Sequence, residues 1–381
     1  MTRAAGHPQG VAPPRPKRER DDRMDVAKGL LQLMIFVAHV PQSWAILLLH
    51  RNISWSDASE IFVFTAGHAL GGVFAHRAAR DGARAAMLDL LGRSARLYRR
   101  FLVLAVGLSA FGFGVAWLTG SGSDLAWQQL GPVADAPVEA ALRLLVLSYQ
   151  PAVLDALALF VVLLPLAAVP TLVPRRIWPV AAALSIGAWG FAQTRWAPLL
   201  TWPGPEPWVF DPFAWQLLFL AGAGAGRLGY DGERILPRGL LFPWACAALI
   251  GFAAVVTGTW TVHLLIDPGV HPWFFGWRNL VVEKQWLGPL TVLHALALIS
   301  LVAVAVPSSA KLFRSKVLAA IGLCGRHSLD VFCAGLVASA VGRAVMETTG
   351  GTWPWQLVVP PLGWAALLTV GAALERRRAR A

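Results

Sequence analysis

Apolar stretches of about 20 residues recur along this chain from one end to the other. Each is long enough to cross ~30 Å of hydrocarbon as a helix. Composition agrees. Of the 381 residues, 56% are hydrophobic and 14% charged, with a mean hydropathy of +0.56, a charge content low for a soluble protein of this size. The expected fold is all-α, a polytopic transmembrane helical bundle. The apolar runs mark about ten spans, over roughly 29–49, 58–76, 101–119, 152–172, 177–193, 213–229, 239–262, 287–306, 327–346 and 356–374. Residues 1–23 read as a disordered basic cytoplasmic tail without a signal-peptide pattern. Residues 24–374 read as one integral membrane domain, and 375–381 as a second basic tail.

The net charge of +12 matters less than its distribution. Basic clusters fall at Arg15–Arg23, Arg77–Arg100, Arg175–Arg176, Arg227–Arg238, Lys311–Lys316 and Arg376–Arg380. The intervening loops are nearly free of Lys and Arg, with Arg51, Arg195, Arg278 and Lys284 as exceptions. That alternation fits the positive-inside rule with both termini cytoplasmic. It excludes a nucleic-acid binder, because the clusters are separated by spans rather than gathered on one surface. Cys246, Cys324 and Cys333 have neither zinc nor disulfide spacing and read as small buried residues.

The loops on the other side are rich in tryptophan. Residues 194–215 carry Trp196, Trp202, Trp208 and Trp215 among five prolines, and residues 260–286 carry Trp260, Trp273, Trp277 and Trp286. An interfacial aromatic belt accounts for most of them. Some are expected to form a platform for sugar rings, held rigid by the prolines.

Titratable groups within spans are costly and face a bundle interior or an aqueous cavity. On the first span Asp25, Lys28, Gln32 and His39 share one stripe, because eleven residues return a helix to within about 20°. His39 stands about 16 Å deeper than Lys28, near mid-membrane. On the second, Glu60, Phe64, Gly67, His68 and Gly71 share a face, and the glycines permit close helix contact. Asp155, Asp211, His294 and the stretch "GRHSLD" (325–330) complete the polar set. Simpler roles stand beside these: Lys28 snorkelling to lipid phosphates, Asp25 or Glu60 capping a helix, Arg326 anchoring a helix end. Histidine, with a reference pKa of ~6.5, can take and return a proton near neutral pH.

Six segments in order carry a resemblance: "MDVAKGLLQLMIFVAHVPQSW", "SDASEIFVFTAGHALG", "QPAVLDALALFVVLLPL", "FDPFAWQLLFLAGAGAGR", "EKQWLGPLTVLHALAL" and "LCGRHSLDVFCAGLVASAVGR". Together they resemble the OpgC family of integral membrane proteins, which O-succinylate osmoregulated periplasmic glucans. That family is related to the acyltransferase-three group, whose signature is a basic residue, ten others, then histidine. Lys28 and His39 have this spacing. The chain departs from the pattern in having Lys28 for the commoner arginine, Thr65 and His68 in "TAGHALG", and Thr291 after "LGPL".

The resemblance implies a multi-pass protein of the bacterial inner membrane. It implies acyl transfer from cytoplasmic acyl-CoA, here succinyl-CoA as co-substrate, to a hydroxyl of a glucan or other polysaccharide acceptor. The expected partners are donor, acceptor and bilayer; no cofactor is bound permanently and no metal is called for. His39 is expected to be the general base and Glu60 its partner; an acyl-histidine intermediate stays open. Basic groups near Lys28, Arg93–Arg100 and Arg326 suit the phosphates of CoA. The substrate-binding set is Lys28, Asp25, Asp155, Asp211, Trp215, Lys284, Arg326 and His327. The alternatives are an O-acetyltransferase of another surface polysaccharide, or a transporter exporting a glycan or small acid. The acyl group, the glucan's linkage and the oligomeric state stay open.

Overall fold

The computed structural model describes residues 21–122, 125–126, 129–151, 153–237, 239–266, 282–307 and 311–380. Residues 1–20, Trp273, Trp277 and Arg278 lie outside the described residues. Among the described residues the regular structure is helical, apart from one isolated antiparallel bridge between Leu200 and Pro207. The helices that position the site are α1 (Asp22–Ala38), α2 (Ala58–Asp81), α3 (Ala83–Thr119), α4 (Asp155–Leu163), α5 (Trp178–Gln193), α6 (Pro212–Asp231), α7 (Leu241–Ile266), α8 (Pro289–Ala305), α9 (Lys316–Arg326), α10 (Ser328–Thr348) and α11 (Trp353–Arg380).

Six helical stretches are long and apolar enough to cross a membrane: Ala58–Asp81, Ala83–Thr119, Asp155–Leu172, Leu241–Gly258, Ser328–Thr348 and Trp353–Arg380. These correspond to six of the ten expected spans. The remaining four are shorter or less apolar. Helix α5 has 16 residues and α8 has 17, while α6 has 20 but includes Gln216 and Arg227. Helix α1 also has 17 residues and stops at Ala38 instead of running to 49. Pro41 explains the stop: proline lacks the amide hydrogen a helix needs and disfavours helical geometry in the residue before it. Two short 3-10 turns, Trp44–Leu48 and His50–Ile53, carry the chain on towards α2. At the far terminus α11 continues through Arg380, so residues 375–380 extend the last helix.

Two glycine seams set the geometry. Helices α2 and α6 run parallel, and both start from aspartate caps, Asp57 and Asp211. Gly67 and Gly71 of α2 lie against the backbone of Phe219 and Ala223, and Gly222 and Gly226 of α6 lie against the backbone of Phe64 and His68. A Cβ on any of the four would run into main chain, so only glycine allows this approach. Helices α1 and α9 run antiparallel and close the same way, with Gly29 against the Ile321 carbonyl and Gly325 against the Asp25 carbonyl. The largest buried cluster fills the space between α2, α3, α4 and α6, around Phe101, Leu157, Leu163, Trp215 and Phe219. A smaller one joins α1 to α10 and α11 through Phe36, Val37, Val331 and Leu367.

Candidate functional site

His39 is the residue that ends α1. Its amide donates to the Phe36 carbonyl at 3.1 Å, and its ring folds back so that Nδ1 lies 2.7 Å from the Ile35 carbonyl oxygen. A carbonyl only accepts, so Nδ1 carries the proton. The neutral ring then presents Nε2 as an unprotonated acceptor, the tautomer a general base requires. The helix's own last turn sets both the tautomer and the orientation.

Asp155, Asp57 and Lys284 lie within electrostatic reach of the His39 ring. Asp155 opens α4 and accepts from the Ala156 amide at 2.7 Å; its carboxylate senses both His39 and Lys284. Asp57 caps α2, accepts from the Ala58 amide at 2.7 Å and pairs with the Lys284 ammonium at 3.2 Å. Burial opposes its charge, yet Lys284, the Ala58 amide and Arg51 hold the Asp57 carboxyl below its usual value. Lys284 also sits 5.4 Å over the Phe210 ring. The segment that presents it is pinned from several sides. Gln285 donates to the Pro207 and Trp208 carbonyls at 3.1 and 2.9 Å, Trp215 donates to the Gln285 carbonyl at 3.2 Å, and Trp189 to the Leu287 carbonyl at 2.8 Å.

Glu60, the expected partner of His39, is held in a capping box. Its Oε2 accepts the Asp57 amide at 2.6 Å while Asp57 caps the other way, which stabilises the start of α2 by about 1 kcal/mol. The carboxylates within electrostatic reach of His39 are Asp155, which opens α4, and Asp57, which caps α2.

Asp211 caps α6 by accepting from the Ala214 amide at 3.0 Å, and it is buried. Trp215 is fully buried, with its indole packed edge-on against Phe210 at 4.8 Å, and offers no face to a sugar ring here. Trp208 and Trp286 are buried as well, whereas Trp196 on the same side is 82% exposed.

The opposite end of α1 holds Asp25, Lys28, Arg326 and His327. Arg326 meets three carboxylates: Asp25 at 3.3 Å, Asp22 at 3.4 Å and Glu375 at 3.5 Å. His327 Nε2 is 2.8 Å from Glu375. One turn up, the Gln32 amide donates to the Ser328 carbonyl at 3.0 Å. The network ties α1, α9 and α11 together. Nearby, Arg100 pairs with Asp330 at 2.7 Å, and with Arg99, Val103, Leu104 and Cys333 the two line a surface groove of about 230 Å³. The structure thus divides the expected site residues between two ends of the bundle: Asp25, Lys28, Arg326 and His327 at one, His39, Glu60, Asp155 and Lys284 towards the other.

Sequence reasoning passed over Arg343. It is a buried cation on α10, ion-paired to Glu347 one turn on. Its neighbour Gly342 packs on Val40, next to His39. An arginine inside an apolar run, four residues before a glutamate, was the available signal.

The arrangement defines a helical membrane protein with a histidine at a helix end and basic groups some way behind it. A family model described as OpgC protein matches residues 20–379, and the chain belongs to that family. Membership implies a membrane acyltransferase. Neither the comparison with curated proteins nor that with solved structures gave a match.

Proposed function

We propose that the protein moves a succinyl group from cytoplasmic succinyl-CoA to a hydroxyl of a periplasmic glucan in the bacterial inner membrane. Both termini then face the cytoplasm, and the Asp57–Lys284 end faces the periplasm. The observation that carries this reading is the His39 ring. Its Nδ1 is tied to Ile35, and the ring lies within electrostatic reach of Asp155, Asp57 and Lys284.

In this reading Nε2 takes the proton of the sugar hydroxyl as its oxygen attacks the thioester carbonyl. The C–S bond breaks, and the proton passes on to the departing thiolate of CoA. Asp155 stabilises the transient imidazolium, and Lys284 favours the carboxylate of the succinyl chain or the oxyanion. The acyl end of the donor must reach His39 from the Lys28 end, about 16 Å along α1, a distance that suits the slender pantetheine arm. Arg99, at the lip of the groove, is exposed and suits the phosphates of CoA. Arg326 is engaged by three carboxylates and serves the scaffold in this arrangement.

The test uses periplasmic glucans extracted from a deletion strain complemented with wild type or with His39→Ala. Succinyl mass increments seen with wild type alone support the reading. Acetyl increments would move the donor to acetyl-CoA. Unchanged masses in every strain would favour another acceptor or a transporter.

A further inference from the structure

Behind Asp57 lies a cluster of buried polar groups that the proposed chemistry does not use. His294 on α8 is 1% exposed. Its Nδ1 is 2.9 Å from Ser56 Oγ and 3.4 Å from Ser54 Oγ. The serine hydroxyls can serve Nδ1 in either tautomer, so Nε2 donates in one and accepts in the other. That Nε2 is closed to solvent and has no hydrogen-bond partner among the described residues. One turn earlier on α8, Thr291 is 2% exposed, and its hydroxyl is also buried without a partner. The two residues lie about 60° apart around the helix, on one face. The carbonyl four residues back, to which a helical threonine usually donates, belongs to Leu287 and takes the Trp189 indole hydrogen at 2.8 Å. Across from α8, the 3-10 turn His50–Ile53 brings in His50. Its Nε2 is likewise buried without a partner, and its ring is within electrostatic reach of His294 and Asp57.

Native proteins rarely leave such groups unpaired, and two on one face of α8 with a third within electrostatic reach of His294 point to a ligand. Charge narrows its nature. Asp57 is committed to Lys284 and to the Ala58 amide, so a cation meets no available anion. Two fixed cations reach His50, but Lys284 is paired with Asp57 and Arg51 is exposed, and burial pushes the His50 imidazole below its usual value, so an anion here meets no buried, uncommitted cation. Among the described residues no cluster of three or more metal-ligating side chains is present. A neutral group that both donates and accepts fits: a hydroxyl. Ser56 adjoins Asp57, which lies within electrostatic reach of both His39 and His50, so this cluster lies towards the same end of the bundle as His39.

We propose that Thr291, His294 and His50 form a subsite for a hydroxyl of the acceptor carbohydrate, beside the hydroxyl that is acylated. The subsite rests on the acyl-transfer reading above. It orients the sugar ring and thereby selects which hydroxyl faces His39 Nε2.

The experiment measures ester formation by membranes carrying wild type, Thr291→Val, His294→Leu or His294→Gln. Unsubstituted periplasmic glucan and succinyl-CoA are each varied while the other saturates. Thr291→Val keeps the shape of the side chain and removes an unpartnered hydroxyl, so the protein should melt no lower than wild type. Its KM for glucan should rise about tenfold, the worth of one lost hydrogen bond, with KM for succinyl-CoA unchanged. His294→Leu should show the larger rise in glucan KM, and His294→Gln should recover part of it. Unchanged glucan KM in Thr291→Val and in His294→Leu, with wild type active, would mean that water alone occupies the cluster and overturns the subsite. No ester from wild-type membranes would overturn the acyl-transfer reading itself, and the subsite with it.

Discussion

The two ends of α1 use the same kinds of residue for opposite purposes. At the Asp22 end, Arg326 binds Asp22, Asp25 and Glu375, and His327 binds Glu375. Those charges hold three helices together. At the His39 end, the histidine spends one nitrogen on its own helix, while Asp155, Asp57 and Lys284 lie within electrostatic reach of it. A saturated cluster resists change and makes a scaffold. An unsaturated one can receive a proton and a substrate. The presence of a charged or titratable residue in a span therefore does not tell which of the two it is; its partners do.

Substitutions can break or sharpen that contrast. The largest expected effect is at His39. His39→Ala should lower ester formation at least ~100-fold while the protein still accumulates in membranes. Near-normal product in glucan mass spectra would put the base elsewhere. Next comes Asp155→Asn, expected to cut kcat about tenfold with little change in either KM, because the carboxylate acts on the charge that appears during the reaction. A change confined to KM would make Asp155 a substrate ligand. Lys28→Glu should raise KM for succinyl-CoA several-fold, about 1 kcal/mol of lost attraction, and leave KM for glucan alone. Equal effects on both would mark Lys28 as an anchor. The smallest effect on activity belongs to Arg326→Met, which leaves three carboxylates facing one another. It should cost about 1–2 kcal/mol of stability, discounted for partial exposure, seen as a lower melting temperature in detergent. Unchanged stability with lost donor binding would reverse the assignment of the two ends.

Much of the scaffold was legible from residue order alone. Apolar length marked the helices, and the glycines of "GHALG" signalled a surface where two backbones can meet, which is where α2 touches α6. The eleven-residue spacing of Lys28 and His39 separated the two ends before any tertiary structure was known. Pro41 carried the stop of α1, yet the apolar run continues through Leu49 and masks it, since hydropathy is blind to backbone geometry. Glu60 three residues after Asp57 is a capping-box pattern, and it proved to be that. Asp155 is 116 positions from His39, and no local period links residues so far apart. Trp215 shows the same limit from the other direction: a tryptophan in a Pro-rich loop and one in a helix core look alike until the neighbours are placed.

Because His39 closes α1 and bonds to its own last turn, the proton it would accept arrives where the helix's peptide dipoles end. A helix C-terminus behaves as roughly half a negative charge and favours an adjacent cation by about 0.3–1 kcal/mol. In the proposed reaction His39 is thus fixed to the source of its own electric field. Unwinding a single turn at Ile35 would remove tautomer, aim and field together, without any contact to donor or acceptor being touched.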